Sequence, residues 1–230
     1  MNLNTLLIQG LEILQQSDEE IRNRLELYIK EIETFNPVYG LVGVTDTNEL
    51  IIKHILDSLA PLGIISNLLQ SSLGDLCAFA EPSVRNLREV PPIKVADAGS
   101  GAGLPGIPLA IALPNCDFTL IERMGRRAGF LLNTKAVLNL SNINIEEKEI
   151  EKVEPNQFDL VTFRAFKPIE PKLLKTLFKI CKPDGLIAAY KGKKEKIEAE
   201  MTGINVKWQA VPYSVPFLDE ERNLLIIRKN

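Results

Sequence analysis

The stretch of sequence that decides the fold runs from residue 95 to residue 106 and reads Val95-Ala96-Asp97-Ala98-Gly99-Ser100-Gly101-Ala102-Gly103-Leu104-Pro105-Gly106. An apolar run precedes the glycines and a helical pattern follows them, so the sequence predicts a turn between a buried strand and a helix. Glycine permits positive φ angles and a close approach of the backbone to a ligand. Alternating glycines lose conformational entropy on folding and so reduce the stability of the fold. A loop that keeps them therefore predicts a bound ligand that requires them.

Two ligand-binding motifs match the residues of this loop. The spacing Gly101-x-Gly103-x-x-Gly106 matches the dinucleotide fingerprint, whereas Asp97-x-Gly99-x-Gly101-x-Gly103 matches the acidic-then-glycine loop typical of S-adenosylmethionine enzymes. An acidic side chain at the strand end would repel a pyrophosphate, but it suits a cofactor that carries an amino group and a sulfonium. Asp97 therefore favours S-adenosylmethionine.

A second acidic residue completes the predicted pocket. Glu122 ends the next strand-like run, sixteen residues after Gly106. A carboxylate at the end of the strand beside the glycine loop can accept hydrogen bonds from both ribose hydroxyls of an adenosine. We therefore expect Glu122 to bind the ribose.

Strand-like and helical runs alternate from residue 93 onward, which predicts an α/β fold with a parallel sheet covered on both faces. The strand-like runs are Ile93–Ala98, Phe118–Ile121, Ile143–Glu147, Phe158–Phe163 and Leu186–Tyr190. Two further runs, Val206–Val215 and Leu224–Arg228, are joined by a connection too short for a crossover helix, so they predict an antiparallel hairpin.

The first 60 residues show helical patterns instead. Ser17 and Glu20 have the spacing of a capping box, and Phe35-Asn36-Pro37 predicts the end of that helix. Residues 61–92 contain several prolines and glycines and read as a connector or insertion. The sequence thus predicts a helical extension over residues 1–60, a connector over 61–92 and the α/β domain over 93–230.

The composition and charge of the chain disfavour several classes of protein and of binding site. The chain has 230 residues, a net charge of −3, three cysteines and one histidine. A disulfide framework and a Cys/His zinc site are both improbable with that set, and we expect no metal. No signal-peptide pattern or membrane span is visible, which predicts a cytoplasmic protein, and any nucleic acid would have to meet a local basic face.

Several motifs, in order along the chain, resemble one known family. They are His54-Ile-Leu-Asp57-Ser58-Leu59, the glycine stretch from Asp97 to Ala110, Arg164-Ala165-Phe166, Lys191-Gly192 and Glu221-Arg222. The chain is similar to the glucose-inhibited division protein B family, the bacterial 16S ribosomal RNA guanine-N7 methyltransferases. The resemblance covers nearly the whole chain.

The resemblance implies a class I methyltransferase fold, Rossmann-like, with a seven-stranded sheet of order 3-2-1-4-5-7-6 and an antiparallel strand 7. It also implies S-adenosylmethionine as cofactor, a guanine of the 530 loop of 16S rRNA in the 30S subunit as target, and a monomer. The cofactor residues it implies are Asp97, Gly99, Gly101 and Gly103 for the methionine end, Glu122 for the ribose, and Ile150 and Glu151 for the adenine. We also expect Leu104 to contact the cofactor.

The chemistry agrees with this target. Guanine N7 has an in-plane lone pair at neutral pH, so its methylation requires placement and electrostatic support but no general base. We expect Arg164 and Phe166 to position the base, although an aromatic residue after a core strand is as often part of the core. The expected RNA contacts are Arg123, Arg126, Arg164, Lys191 and Arg222, whereas Lys193 and Lys194 fit a solvated helix face equally well.

Two other functions remain open at this point. The dinucleotide reading of the glycine loop would give a nicotinamide-dependent oxidoreductase, which Asp97 and the carboxyl-terminal hairpin disfavour. The second alternative is a non-catalytic ribosome-assembly factor that retains a methyltransferase fold. Calorimetry with the two cofactors distinguishes the first, and pocket mutants that keep ribosome binding distinguish the second.

Overall fold

The computed structural model describes residues 3–77, 92–165 and 168–229. Its centre is a seven-stranded sheet of order β3-β2-β1-β4-β5-β7-β6, in which β7 runs antiparallel to both of its neighbours. The strands are β1 (Ile93–Ala98), β2 (Cys116–Glu122), β3 (Ile143–Glu147), β4 (Phe158–Arg164), β5 (Cys181–Lys191), β6 (Lys207–Tyr213) and β7 (Arg222–Arg228). This order confirms the class I methyltransferase fold that the sequence predicts.

The helices cover both faces of the sheet. They are α1 (Leu3–Ile13), α2 (Glu19–Tyr39), α3 (Thr47–Leu50), α4 (Asp57–Leu59), α5 (Leu62–Cys77), α6 (Gly106–Ala112), α7 (Gly125–Val137), α8 (Pro171–Ile180) and α9 (Lys194–Met201). A π-helical turn, Ile51–Leu56, joins α3 to α4, and a short 3₁₀ turn, Ile150–Lys152, follows β3. Among the described residues, none of these helices combines the length and apolar character needed to span a membrane.

Two apolar clusters hold the layers together. The first joins the amino-terminal helices and α6 and α7 to one face of the sheet, and the second joins α8 and α9 to the other face. Parallel strands covered on both faces lose their alternating pattern, and β1 accordingly buries every residue from Val95 to Ala98. The first cluster continues from the helices of residues 3–69 into the sheet, while the boundaries at residues 60 and 92 stay predictions.

The start and end of α2 differ from the sequence expectation. Asp18, not Ser17, is the N-cap, and its carboxylate accepts the backbone N–H groups of Glu20 and Ile21. Pro37 does not end the helix, because a proline in the last turn removes only one backbone hydrogen bond. The helix continues to Tyr39 and ends at Gly40, which adopts the left-handed conformation.

The segment after α4 is more regular than predicted. Its prolines and glycines suggest a connector over residues 61–92, but residues 62–77 form the single helix α5. The remainder of that connector, residues 78–91, lies outside the described residues.

Candidate methyltransferase active site

The glycine loop follows β1 directly and uses its glycines in different ways. Gly99, Gly101 and Gly103 have φ angles of +70°, +60° and +91°, a region that side chains with a Cβ atom rarely adopt. A Cβ atom on Gly101 would meet only the Gly99 carbonyl oxygen, at 3.9 Å, so that side of the loop is open. A Cβ atom on Gly103 would overlap Ile107 of α6. Gly101 therefore leaves room for a ligand, whereas Gly103 permits the loop to pack on its helix.

Asp97 stabilises the glycine loop through hydrogen bonds. Its buried Oδ2 accepts hydrogen bonds from Ser100 Oγ at 2.6 Å and from the Gly106 backbone N–H at 3.0 Å. Burial raises the pKa of Asp97 to about 6, although these two hydrogen bonds act in the opposite direction. The other carboxylate oxygen, Oδ1, is also buried and has no partner within the described part of the chain. A buried acceptor of this kind is a place where a ligand donor would bind.

Glu122 connects the end of β2 to the same loop. Its Oε2 accepts the Gly101 backbone N–H at 3.0 Å, and its Oε1 accepts the Met124 backbone N–H at 2.8 Å. The residue is buried, and each carboxylate oxygen retains a second lone pair for a hydroxyl donor. Sequence reasoning placed Glu122 beside the loop but missed these two amide contacts, because the spacing alone does not show which backbone groups a carboxylate accepts.

A cleft of about 480 Å³ opens at the carboxyl ends of the parallel strands. Its walls include Gly99, Glu122, Arg123, Ile150, Glu151 and Ala165. The structure thus brings together the residues expected to contact the ribose, at the end of β2, and the adenine, after β3. Gly103, expected at the methionine end, and Leu104, expected to contact the cofactor, are buried behind this surface.

Arg164, the last residue of β4, directs its side chain to the amino-terminal helices. Its neighbour Ala165 lines the cleft, while the Arg164 guanidinium turns toward the amino-terminal helices. Nη1 donates to Asp57 Oδ2 at 3.1 Å and Nη2 lies 2.9 Å from His54 Nδ1. Among the described residues that line this cleft, Arg164 does not occur, because the buried Asp57 carboxylate on α4 accepts a hydrogen bond from its guanidinium; its expected role in positioning the base stays a prediction.

The other predicted RNA contacts divide into free and paired groups. Arg123 and Arg126 are exposed beside the cleft at the start of α7. Lys191 donates to both carboxylate oxygens of Glu200, at 2.9 and 2.8 Å. Arg222 pairs through Nε with Asp57 Oδ1 at 3.4 Å.

Two further predictions concern the lysine run and the aromatic residue. Lys193 and Lys194 are exposed, as a solvated helix face requires. Phe166, expected to position the base, lies outside the described residues.

Comparison with known proteins identifies one family over most of the chain. The family model described as rRNA small subunit methyltransferase G matches residues 68–226. A protein of Treponema denticola named ribosomal RNA small subunit methyltransferase G is 40% identical over 243 aligned residues, covering 98% of this chain and 94% of that protein.

Proteins of the same name show similar coverage in other bacteria. The Treponema pallidum (strain Nichols) protein is 39% identical, covering 88% of this chain and 83% of its own length. The Nitrosococcus oceani protein is 31% identical, covering 97% and 91%. The glycine loop, the sheet order and these matches over most of the chain lead to one conclusion: the chain belongs to the rRNA small subunit methyltransferase G family.

Proposed function

We propose that this protein transfers a methyl group from S-adenosylmethionine to N7 of a guanine in the 530 loop of 16S rRNA, with the 30S subunit as substrate. The observation that carries the proposal is the Glu122 carboxylate, which holds the glycine loop and borders the cleft at the carboxyl edge of the sheet. Ligands of open α/β sheets bind at that edge.

The residues of the cleft and of the adjoining glycine loop fit S-adenosylmethionine. The unpartnered Oδ1 of Asp97 is an acceptor for a cationic group, and the open side of Gly101 leaves space for the methionine portion. Glu122 keeps lone pairs for the ribose hydroxyls, and Ile150 and Glu151 would border the adenine. When bound, the cofactor supplies an electrophilic methyl group on a sulfonium.

The residues of this chain then have to orient the guanine and to stabilise the cationic cofactor, but they do not have to remove a proton. Guanine N7 already presents its lone pair, so in-line placement is the main requirement. The buried carboxylates of Asp97 and Glu122 place negative charge where a cationic cofactor would bind. Exposed Arg123 and Arg126, beside the cleft, offer cations to the RNA backbone.

Other positions on a nucleic-acid base fit less well. Methylation of cytosine C5 requires a cysteine nucleophile near the cleft. Cys116 and Cys181 are buried at the first residues of β2 and β5, the opposite edge of the sheet. Burial raises the pKa of Cys181 to about 12, which keeps that thiol protonated. After β4, where exocyclic-amine methyltransferases have an Asn- or Asp-Pro-Pro-aromatic loop, this chain reads Arg164-Ala165-Phe166-Lys167-Pro168.

The deciding experiment is methylation of 30S subunits from cells that lack the gene. The purified protein and labelled S-adenosylmethionine should add one methyl group, which mass spectrometry of 16S rRNA fragments maps to the 530 loop. Borohydride and aniline cleavage at that nucleotide identifies N7 as the acceptor atom. A methyl group on another atom or nucleotide contradicts the proposal, and 30S binding without transfer favours an assembly factor.

A further inference from the structure

Asp57 is the centre of a buried ion cluster that the proposed methyl transfer does not use. It is the first residue of α4, and its carboxylate is almost completely inaccessible to water. Oδ2 accepts Arg164 Nη1 at 3.1 Å, and Oδ1 accepts Tyr213 Oη at 3.2 Å and pairs with Arg222 Nε at 3.4 Å. One side chain thus joins α4 to the end of β4, the end of β6 and the start of β7.

All these strand ends lie at the edge of the sheet that contains the cleft. β4 is parallel to β1, so Arg164 follows the same edge as the glycine loop. The hairpin brings Tyr213 opposite Arg222, and β7 pairs Asn223 with Lys191 at the end of β5. The ion cluster therefore adjoins the site at which the RNA is proposed to bind.

The orientation of Arg164 is fixed by several acceptors on one stretch of helix. The Asp57 backbone N–H bonds to Ile52 and His54 carbonyls in the π-helical turn, so the Lys53 carbonyl, its partner in an α-helix, accepts Arg164 Nη1 at 3.3 Å. A guanidinium only donates, and His54 Nδ1 must therefore accept from it. Burial and the Arg164 and Lys53 charges lower the pKa of His54 to about 4, which keeps the ring a neutral acceptor.

The charges in the buried part of the cluster do not balance. Two guanidinium groups face one buried carboxylate, and Glu220, which also contacts Arg222, is largely exposed to water. The arginine side chains are 14% and 18% accessible, so both reach the surface. Buried ion pairs often stabilise a fold no better than apolar contacts of equal size, so stability alone does not explain this arrangement. Glu220 is the second anion of the cluster, and because it is exposed, an anion from solution can compete with it for Arg222.

We propose that Asp57 is a positioning residue that orients Arg164 and Arg222 to bind one phosphate group of the RNA beside the target guanine. The inference rests on the proposed rRNA substrate. Planar guanidinium groups bind phosphate oxygens through paired hydrogen bonds, and their affinity depends on orientation as well as charge. The buried carboxylate supplies that orientation.

The test uses Asp57→Asn in the full-length protein, with steady-state methylation of 30S subunits. Asn keeps the size of the side chain but removes the charge that orients both arginines. We expect KM for 30S subunits to rise about tenfold, the value of one hydrogen bond to a charged group, with an unchanged dissociation constant for S-adenosylmethionine. Removing a negative charge near a polyanion would by itself strengthen binding, so a simple charge effect has the opposite sign.

A matched control separates positioning from stability. Asp159→Asn breaks the partly buried pair of Asp159 with Lys182, at the opposite end of β4. It should lower the melting temperature without changing KM for 30S subunits. A wild-type or lower KM for folded Asp57→Asn overturns the inference while leaving the proposed function intact, whereas absence of methylation by the wild-type protein refutes the function itself.

A second variant covers the case in which Asp57→Asn does not fold. Arg222→Lys keeps the positive charge but lacks the Nε–H that faces Asp57. We expect a raised KM for 30S subunits, and a slope of log K against log salt that is smaller by about one phosphate contact. Wild-type values for both quantities would show that orientation of this guanidinium is immaterial and would overturn the inference.

Discussion

Replacing Glu122 by glutamine tests the centre of the candidate site. The carboxylate accepts two backbone N–H groups, from Gly101 at 3.0 Å and from Met124 at 2.8 Å. A glutamine side chain has one acceptor oxygen, so its amino group must face one of these N–H donors. One hydrogen bond to a charged group is lost, worth about 1.5–3 kcal/mol, and one buried N–H remains unsatisfied.

This loss acts on both the loop and the cofactor. We expect the free energy of unfolding without cofactor to fall by about 1–3 kcal/mol, the cost of an unpaired buried donor. We expect the dissociation constant for S-adenosylmethionine to rise about 10- to 100-fold, because the ribose also loses a charged acceptor. Isothermal titration calorimetry measures the second quantity, and denaturant unfolding measures the first.

Glu147→Gln is the matched control. Glu147 lies opposite Glu122 in the register of β2 and β3, at the same edge of the sheet, but it is exposed. Its replacement should leave both quantities near wild type. If Glu122→Gln binds S-adenosylmethionine within twofold of wild type and unfolds at the same denaturant concentration, the carboxylate supports neither the loop nor the ribose, and our account of the cleft is wrong.

Three further predictions concern the loop, its acidic brace and the RNA-facing charges. Gly101→Val should leave the protein folded but abolish calorimetric binding of S-adenosylmethionine, because a β-branched side chain resists the φ of +60° and fills the open side of the loop. Because burial raises the pKa of Asp97 to about 6, its carboxyl becomes charged as the pH rises from 5 to 7, while an α-amino group on the ligand stays protonated. The affinity for S-adenosylmethionine should therefore increase over that range, and Asp97→Asn should flatten the profile; an equally steep profile in the mutant would assign the titration to another group. Arg164→Ala should slow single-turnover methylation of 30S subunits more than tenfold at near-normal cofactor affinity, by loss of an oriented cation, whereas the double alanine mutant of exposed Lys193 and Lys194 should stay within about twofold. If instead the double alanine mutant is the slower of the two, the RNA binds at the loop that contains Lys193 and Lys194.

Local patterns predict the sheet well because each strand carries its own signal. The apolar runs of β1 and β3 give their bounds correctly, as Ile93–Ala98 and Ile143–Glu147. The first residues of β5 are missed, because Lys182 and Asp184 are charged and Pro183 lacks a backbone N–H; Pro183 and Asp184 are also exposed. Tertiary pairing with β4, and not residue preference, extends that strand.

The candidate site likewise has features that the sequence predicts and features that it does not. The glycine loop and Glu122 are visible in the sequence, because an alternating-glycine turn and a strand-terminal carboxylate are features of short segments. The Asp57 carboxylate contacts Arg164 and Tyr213, which lie 107 and 156 positions away in the sequence. The next residue, Ser58, accepts a hydrogen bond from Tyr190, which is 132 positions away. No local pattern contains that information, so the sequence predicts a role for Arg164 but does not show that its guanidinium pairs with Asp57.

The amino-terminal helices take part in the site because two buried tyrosines connect them to the loops of the sheet. Tyr28 of α2 donates to the carbonyl of Ala102, inside the glycine loop, at 2.7 Å, and Tyr190 of β5 donates to the carbonyl of Ser58 at 2.8 Å. Burial raises the pKa of both phenols well above 10, so each remains a donor at any physiological pH. A glycine-rich loop has the most conformational freedom to lose on ordering, and a hydrogen bond from a rigid helix reduces that freedom before any ligand binds. The helices therefore preorganise the loop through Tyr28 and the arginines through Asp57, which makes them structural components of the site and not an appendage to it.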